Sequence, residues 1–171
     1  TKKHHFLIDC GEGTQVLLRK AKFKFVHIKH IFISHLHGDH FYGLPGLIST
    51  FRLLGREAPL HIYGPVGIRE AVTLLLKLAD SWTNYPLHFH ELSEKEPVCL
   101  FSEDEMEVHT IPLKHRVYTN GFLFRETPTE RKINPEAVEK YRIDQSQMRN
   151  LKQGKDVINV DGETISNAQV T

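Results

Sequence analysis

Ser34-His35-Leu36-His37-Gly38-Asp39-His40 puts three imidazoles and one carboxylate within a few positions of one another. Imidazole nitrogen and carboxylate oxygen are the ligands that zinc takes in hydrolytic sites, and without thiolates to close the shell a position stays open for water. In an extended segment side chains two apart share a side, so His35 and His37 can grip one ion. Asp39 and His40 are adjacent and aim elsewhere. The spacing therefore suits two ions better than one, and an open site of this kind is a catalytic one.

Such a loop needs a rigid element to deliver it. Residues 31–33 form an apolar run that reads as a buried strand, extending over 30–34, and the metal loop follows directly. Upstream, residues 6–8 read as a strand that runs into Asp9-Cys10-Gly11-Glu12-Gly13-Thr14-Gln15, a glycine-containing turn, with a helix over 15–21. Downstream, residues 41–54 have helical character, interrupted early by Gly43, Pro45 and Gly46 and closed by Gly55. A short strand over 60–63 ends at Gly64-Pro65, and residues 66–78 repeat apolar side chains at helical intervals through Ala71, Leu74, Leu75 and Leu78. Strands are expected at 87–92, 98–101, 107–111 and 121–124. Strands alternating with helices, and hairpin-like runs among them, indicate a layered α/β arrangement.

At 171 residues, 40% apolar and 25% charged, the chain has the make-up of one soluble globular domain. No apolar run approaches the roughly 20 residues needed to span a bilayer, and no signal-like segment opens the chain, so a cytoplasmic protein is expected. Cys10 and Cys99 are too few for a disulfide framework and are read as reduced thiols. A net charge of +1 excludes no class of partner. Local charge is more informative: Arg19, Lys20, Lys22, Lys24 and Lys29 fall in one acid-free stretch, which could face phosphates, although a solvated face is the commoner meaning of such a run.

The last third is polar and charged. Residues 126–155 hold two short candidate helices. Asn134-Pro135-Glu136 reads as a cap with proline at the first helical position, leading to Tyr141, and a second helix over 144–152 stops at Gly154. Neither has a wide apolar face, so the segment is expected to project as an arm carrying Arg131, Lys132, Lys140, Arg142, Arg149, Lys152 and Lys155. Residues 157–165 read as a hairpin turning at Asp161-Gly162.

These residues match a family. The Asp9–Gln15 run, Ile33-Ser34-His35-Leu36-His37-Gly38-Asp39-His40 and Gly43-Leu44-Pro45-Gly46-Leu47 together closely resemble ribonuclease Z, the tRNA 3′-processing endonuclease of the metallo-β-lactamase superfamily. Ile62-Tyr63-Gly64-Pro65, and Ile111-Pro112-Leu113-Lys114-His115 leading to Gly121-Phe122-Leu123-Phe124, agree with it. The histidine motif by itself would identify only the superfamily; the Asp-Cys-Gly-Glu-Gly-Thr-Gln run narrows it.

The resemblance implies an αββα sandwich, incomplete in this chain, so that residues 1–171 are one partial metallo-β-lactamase-like domain with 126–155 as its arm. It assigns His35, His37 and His115 to one zinc ion, and Asp39 and His40 to a second. Asp39 would also orient the attacking water and take its proton, and Asp9 with its glycine turn would support the metal loop through hydrogen bonds. The implied activity is cleavage of precursor tRNA to remove the 3′ trailer, leaving a 3′ hydroxyl, by a homodimer whose charged arm grips the body of the tRNA. His115 rests on the resemblance, since a lone histidine after a strand is more often a surface residue. His61, His88, His90 and His109 have no ligand-like neighbour in sequence.

In the family a bridging aspartate and a final histidine come from the C-terminal part. No histidine follows His115, and Asp144, Asp156 and Asp161 have no matching context. As written, the chain is expected not to assemble the whole catalytic shell. Two other functions stay open: a metallo-hydrolase of a small ester, thioester or lactam, and an RNA-binding fragment without chemistry.

Overall fold

In a computed structural model that describes residues 5–103, 105–127 and 130–171, the chain divides into two compact units, Thr1–Arg125 and Glu126–Thr171. Residues 128 and 129 of the expected arm lie outside the described residues.

The first unit opens on a parallel sheet. Strand β1 (His5–Ile8) crosses through α1 (Thr14–Lys20) to β2 (Ile28–Phe32), which is followed by the single-turn helix α2 (Gly38–Phe41) and by α3 (Leu44–Leu53). Then come β3 (Leu60–Pro65), α4 (Ile68–Leu78) and β4 (Leu87–Leu92), and the four strands pair in the order β1-β2-β3-β4, all parallel. A three-stranded sheet follows, β5 (Cys99–Glu103), β6 (Met106–Leu113) and β7 (Thr119–Glu126), in that order.

Strand alternation explains how these layers stack. Ile31, Ile33, Leu60 and Ile62 join Leu44, Leu47, Ile48 and Phe51 of α3 and Ile68, Val72 and Leu76 of α4 in one buried cluster. The adjacent residues Phe32 and Tyr63, on the other face of the sheet, instead pack with Phe101, Met106 and Val108 of the second sheet. A parallel sheet covered on both faces reads as a nearly continuous apolar run, which is why residues 31–33 are so plain in sequence. The result is a helix, sheet, sheet stack with the metal loop leaving the C-terminal end of β2.

Of the helix expected over 41–54, residues 44–53 form α3, and Phe41 instead closes the single turn of α2. The chain turns aside at Gly43, whose N–H donates to the Cys10 carbonyl at 2.9 Å. A Cβ at Gly43 would collide with the Gly11 carbonyl, so two stretches of backbone meet here with no room for a side chain. The second helix expected over 144–152 is likewise split, into a 3₁₀ turn at Gln145–Gln147 and the helix described below.

The second unit holds α5 (Pro135–Lys140), α6 (Met148–Lys152) and a short antiparallel pair, β8 (Val157–Ile158) and β9 (Thr164–Ile165). Asn134 caps α5 by accepting from the Glu136 N–H at 3.0 Å. Each helix buries a single residue, Ala137 or Leu151. Nonetheless these two join Ile143, Val157, Ile165 and Val170 in a core of their own. Asn167 sits within it and is satisfied there: its amide nitrogen donates to the Leu151 carbonyl at 2.8 Å and its oxygen accepts from Arg131 at 2.6 Å. The charged segment 126–155 and residues 156–171 are thus parts of one unit. Among the described residues no helix is long and apolar enough to cross a membrane.

Candidate metal centre

The turn after β1 and the loop after β2 are built as one piece. Asp9 has a left-handed backbone with φ of 56°, and its carboxylate accepts from the Ser34 N–H at 2.8 Å. The Cys10 N–H donates to the His40 carbonyl at 2.6 Å. A Cβ at Gly11 would run into the carbonyl oxygen of Asp39, so the glycine lets the turn lie directly under the metal loop. Cys10 is fully buried, and burial pushes its thiol up to about 12; it packs and does not react.

On this base three imidazoles converge. Nε2 of His35 lies 3.0 Å from Nδ1 of His37, and the His115 ring centroid is 5.2 Å from that of His35 and 5.5 Å from that of His37. One ligand nitrogen from each of the three falls within 4.8 Å of the others. His115 arrives from the turn between β6 and β7, so the group draws on both sheets of the unit. His35 is buried and His115 exposed, which leaves one side of the group open. Burial, and then the imidazoles of His40, His37 and His115, make His35 release its proton more readily than an ordinary histidine. Neutral imidazole is the form that binds a metal.

Asp39 and His40 stand beside this group as a pair. Nε2 of His40 is 3.4 Å from Oδ2 of Asp39, and its ring centroid is 4.0 Å from that of His35. Nδ1 of His40 faces the Asp9 carboxylate at 2.7 Å. A carboxylate on Nδ1 fixes the proton there and leaves the Nε2 lone pair for another partner. Nitrogen-rich, free of thiolate and open on one side, the donor set suits a hydrolytic divalent cation.

Two participants escape sequence reasoning. The Ser34 hydroxyl lies 3.1 Å from Asp9 Oδ2, 3.0 Å from His35 Nδ1 and 3.2 Å from His40 Nδ1, so it ties the two histidines to the same carboxylate. Its place just ahead of the motif was the available signal. Arg116 approaches from the other side, Nη2 3.4 Å from His37 Nε2.

The histidines that seemed isolated are not so in space. His30, His61 and His88 occupy one register position across β2, β3 and β4, and Nδ1 of His61 is 3.0 Å from Nε2 of His90. Neighbouring rings in this row are nearly parallel, 22° apart for His30 and His61 and 24° for His61 and His88. Among the described residues the group whose geometry could hold a metal is His35, His37 and His115, not this row.

Residues 1–127 match the family described as Anti-Pycsar protein Apyc1. The chain is 45% identical to a Ribonuclease Z of Bacteroides thetaiotaomicron over 166 residues, 97% of this chain and 52% of that protein. A Ribonuclease BN of Cronobacter sakazakii is 40% identical, over 95% of this chain and 53% of its own length. The chain thus spans about half the length of the curated relatives it matches. Among solved structures, the short form of human tRNase Z superposes with a TM-score of 0.67 at 29% identity, covering 90% of this chain and 73% of that one. The metallo-β-lactamase fold protein YhfI from Bacillus subtilis superposes with a TM-score of 0.54 at 16% identity, covering 84% of this chain and 58% of that one; this likeness is one of fold.

Proposed function

The chain belongs to the Anti-Pycsar protein Apyc1 family and carries the metallo-β-lactamase fold, and on that premise we propose that it supplies the metal-binding half of an endoribonuclease that removes the 3′ trailer from precursor tRNA. One observation carries this reading. The family match ends at residue 127, within two residues of the boundary between the units, whereas the identity to Ribonuclease Z covers 97% of the chain and so includes the second unit. A hydrolase of small esters, thioesters or lactams has no use for a second unit with a core of its own, and an RNA binder without chemistry has no use for converging imidazoles.

His35, His37 and His115 would hold one divalent cation, and Asp39 with His40 a second, with zinc the metal this donor set suits. Such a pair supplies Lewis acidity toward the phosphate and a water acidic enough to attack near neutral pH. The chain's own residues do the rest. Asp39, whose side chain is 78% exposed, presents a carboxylate able to orient the attacking water and accept its proton, and the cut leaves a 3′ hydroxyl. Asp9 and Ser34 hold His40 in one tautomer and one orientation. Arg131, Lys132, Lys140, Arg142, Arg149, Lys152 and Lys155 of the second unit contact phosphates of the tRNA body without reading sequence. The same reading makes the protein a homodimer in the cytoplasm, a reducing compartment in which free Cys10 and Cys99 persist.

The test is to incubate the full-length protein with a 3′-extended tRNA, with and without a chelator. Cleavage that ends in a 3′ hydroxyl, disappears with chelator and returns with zinc is the expected result. Turnover of small esters with the tRNA left intact would transfer the assignment to the other hydrolases of the fold.

A further inference from the structure

Lys114 and Arg116 flank His115 in the turn between β6 and β7, and Lys95 faces them from the loop between β4 and β5. All four side chains line one cavity of about 410 Å³, a volume that accommodates a nucleotide. The cavity wall is hydrogen-bonded through to the metal loop. The Tyr118 hydroxyl donates to the Glu94 carbonyl at 2.9 Å, and the Asn120 side chain donates to that hydroxyl at 2.9 Å. The Asn120 N–H in turn donates to the Ser34 carbonyl at 3.1 Å.

Charge in this cavity is unbalanced. Lys95, Lys114 and Arg116 oppose a single carboxylate, Glu94, which already accepts from the Ser93 N–H at 3.0 Å. The neighbouring imidazoles would themselves hold cations, so positive charge exceeds negative on this side of the centre. That arrangement draws an anion. Arg116 adds geometry to charge. Its Nη2 lies 3.4 Å from His37 Nε2, a long contact, and because His37 turns Nδ1 toward His35, a metal held at Nδ1 leaves the proton on Nε2, which then cannot accept from the guanidinium. The planar guanidinium is then free to take two oxygens of a phosphate at once.

Resting on the endoribonuclease reading, we infer that Arg116, Lys114 and Lys95 form a phosphate clamp that seats a backbone phosphodiester of the RNA strand beside the scissile one. They are positioning residues: they fix where the strand lies relative to His115 and take no part in bond making. The clamp is separate from the lysines and arginines of the second unit, since it lies wholly within Thr1–Arg125.

The experiment measures binding of a 3′-extended tRNA to the full-length protein kept in chelator, so that nothing is cut, from about 50 to about 200 mM salt. Arg116→Gln, Lys114→Gln and Lys95→Gln should each weaken binding several-fold and flatten the slope of log affinity against log salt by about 0.7 per lost contact. Arg116→Lys should keep the slope and still lose affinity, because it retains the charge without the fork. In the metal-loaded protein the same variants should raise KM more than they lower kcat, with metal content unchanged. Affinity and slope equal to the parent's in all three charge-removing variants would overturn the clamp while leaving the cleavage reading intact. A parent protein that binds no tRNA at any salt would overturn both.

Discussion

The Asp9 carboxylate meets Nδ1 of His40 at 2.7 Å from a residue whose φ is 56°, a backbone conformation that non-glycine residues seldom adopt. Asparagine tolerates the same conformation, so Asp9→Asn isolates the carboxylate from the turn. It should lower metal affinity by about 10- to 100-fold with little change in melting temperature. Competition titration against a chromogenic chelator reads this directly, and unaltered affinity would leave Asp9 with a purely backbone role.

Asp39 differs from the other members of the centre in its exposure. Its side chain can reach solvent, and among the described residues it approaches His40 at 3.4 Å. Asp39→Ala should lower kcat on precursor tRNA by roughly 10²–10⁴-fold while preserving most of the tRNA affinity. Equal turnover in wild type and variant would remove Asp39 from proton transfer.

The second unit depends on Leu151, which is fully buried in its core. Leu151→Ala should cost that unit about 2–5 kcal/mol and weaken tRNA binding, yet spare hydrolysis of a small phosphodiester. Loss of both activities together would mean that the unit also supports the metal centre.

His61 and His90 predict a dependence of stability on pH. Burial lowers both pKa values, followed for His61 by His88 and His90 and for His90 by His88, with Glu103 opposing the shift at His61. Lys29, His30 and Tyr63 line the same cavity. In the unfolded chain each histidine takes up a proton near pH 6.5, whereas the folded pair resists until lower pH. Their contribution is therefore fully present above about pH 6.5 and lost as the pH falls from there to the folded pKa values. Denaturant midpoints measured across this window should drop for wild type and drop less for His61→Phe; parallel curves would refute the assignment.

What sequence discloses here is whatever is contiguous. His35, His37, Asp39 and His40 advertise a metal loop because six positions suffice to show it, and the end of β2 is plain because residues 31–33 are apolar and buried on both faces. His115 lies in a distant turn and joins them only through the pairing of a second sheet; a family resemblance, not its local context, singles it out. The row of His30, His61 and His88 needs strand register before it exists at all. The core of the second unit is illegible for another reason. Its members come one at a time from helices, strands and connecting turns, so no window of the sequence shows a helical or alternating period.

His35 and His37 hang from the parallel sheet, and His115 from the three-stranded one. A cation bound by all three would rivet two layers that otherwise adhere through side-chain packing. Chelation should then be felt as mechanics as well as lost chemistry: the sandwich loosens at its mouth, and amide protons at the ends of β2 and β6 exchange sooner.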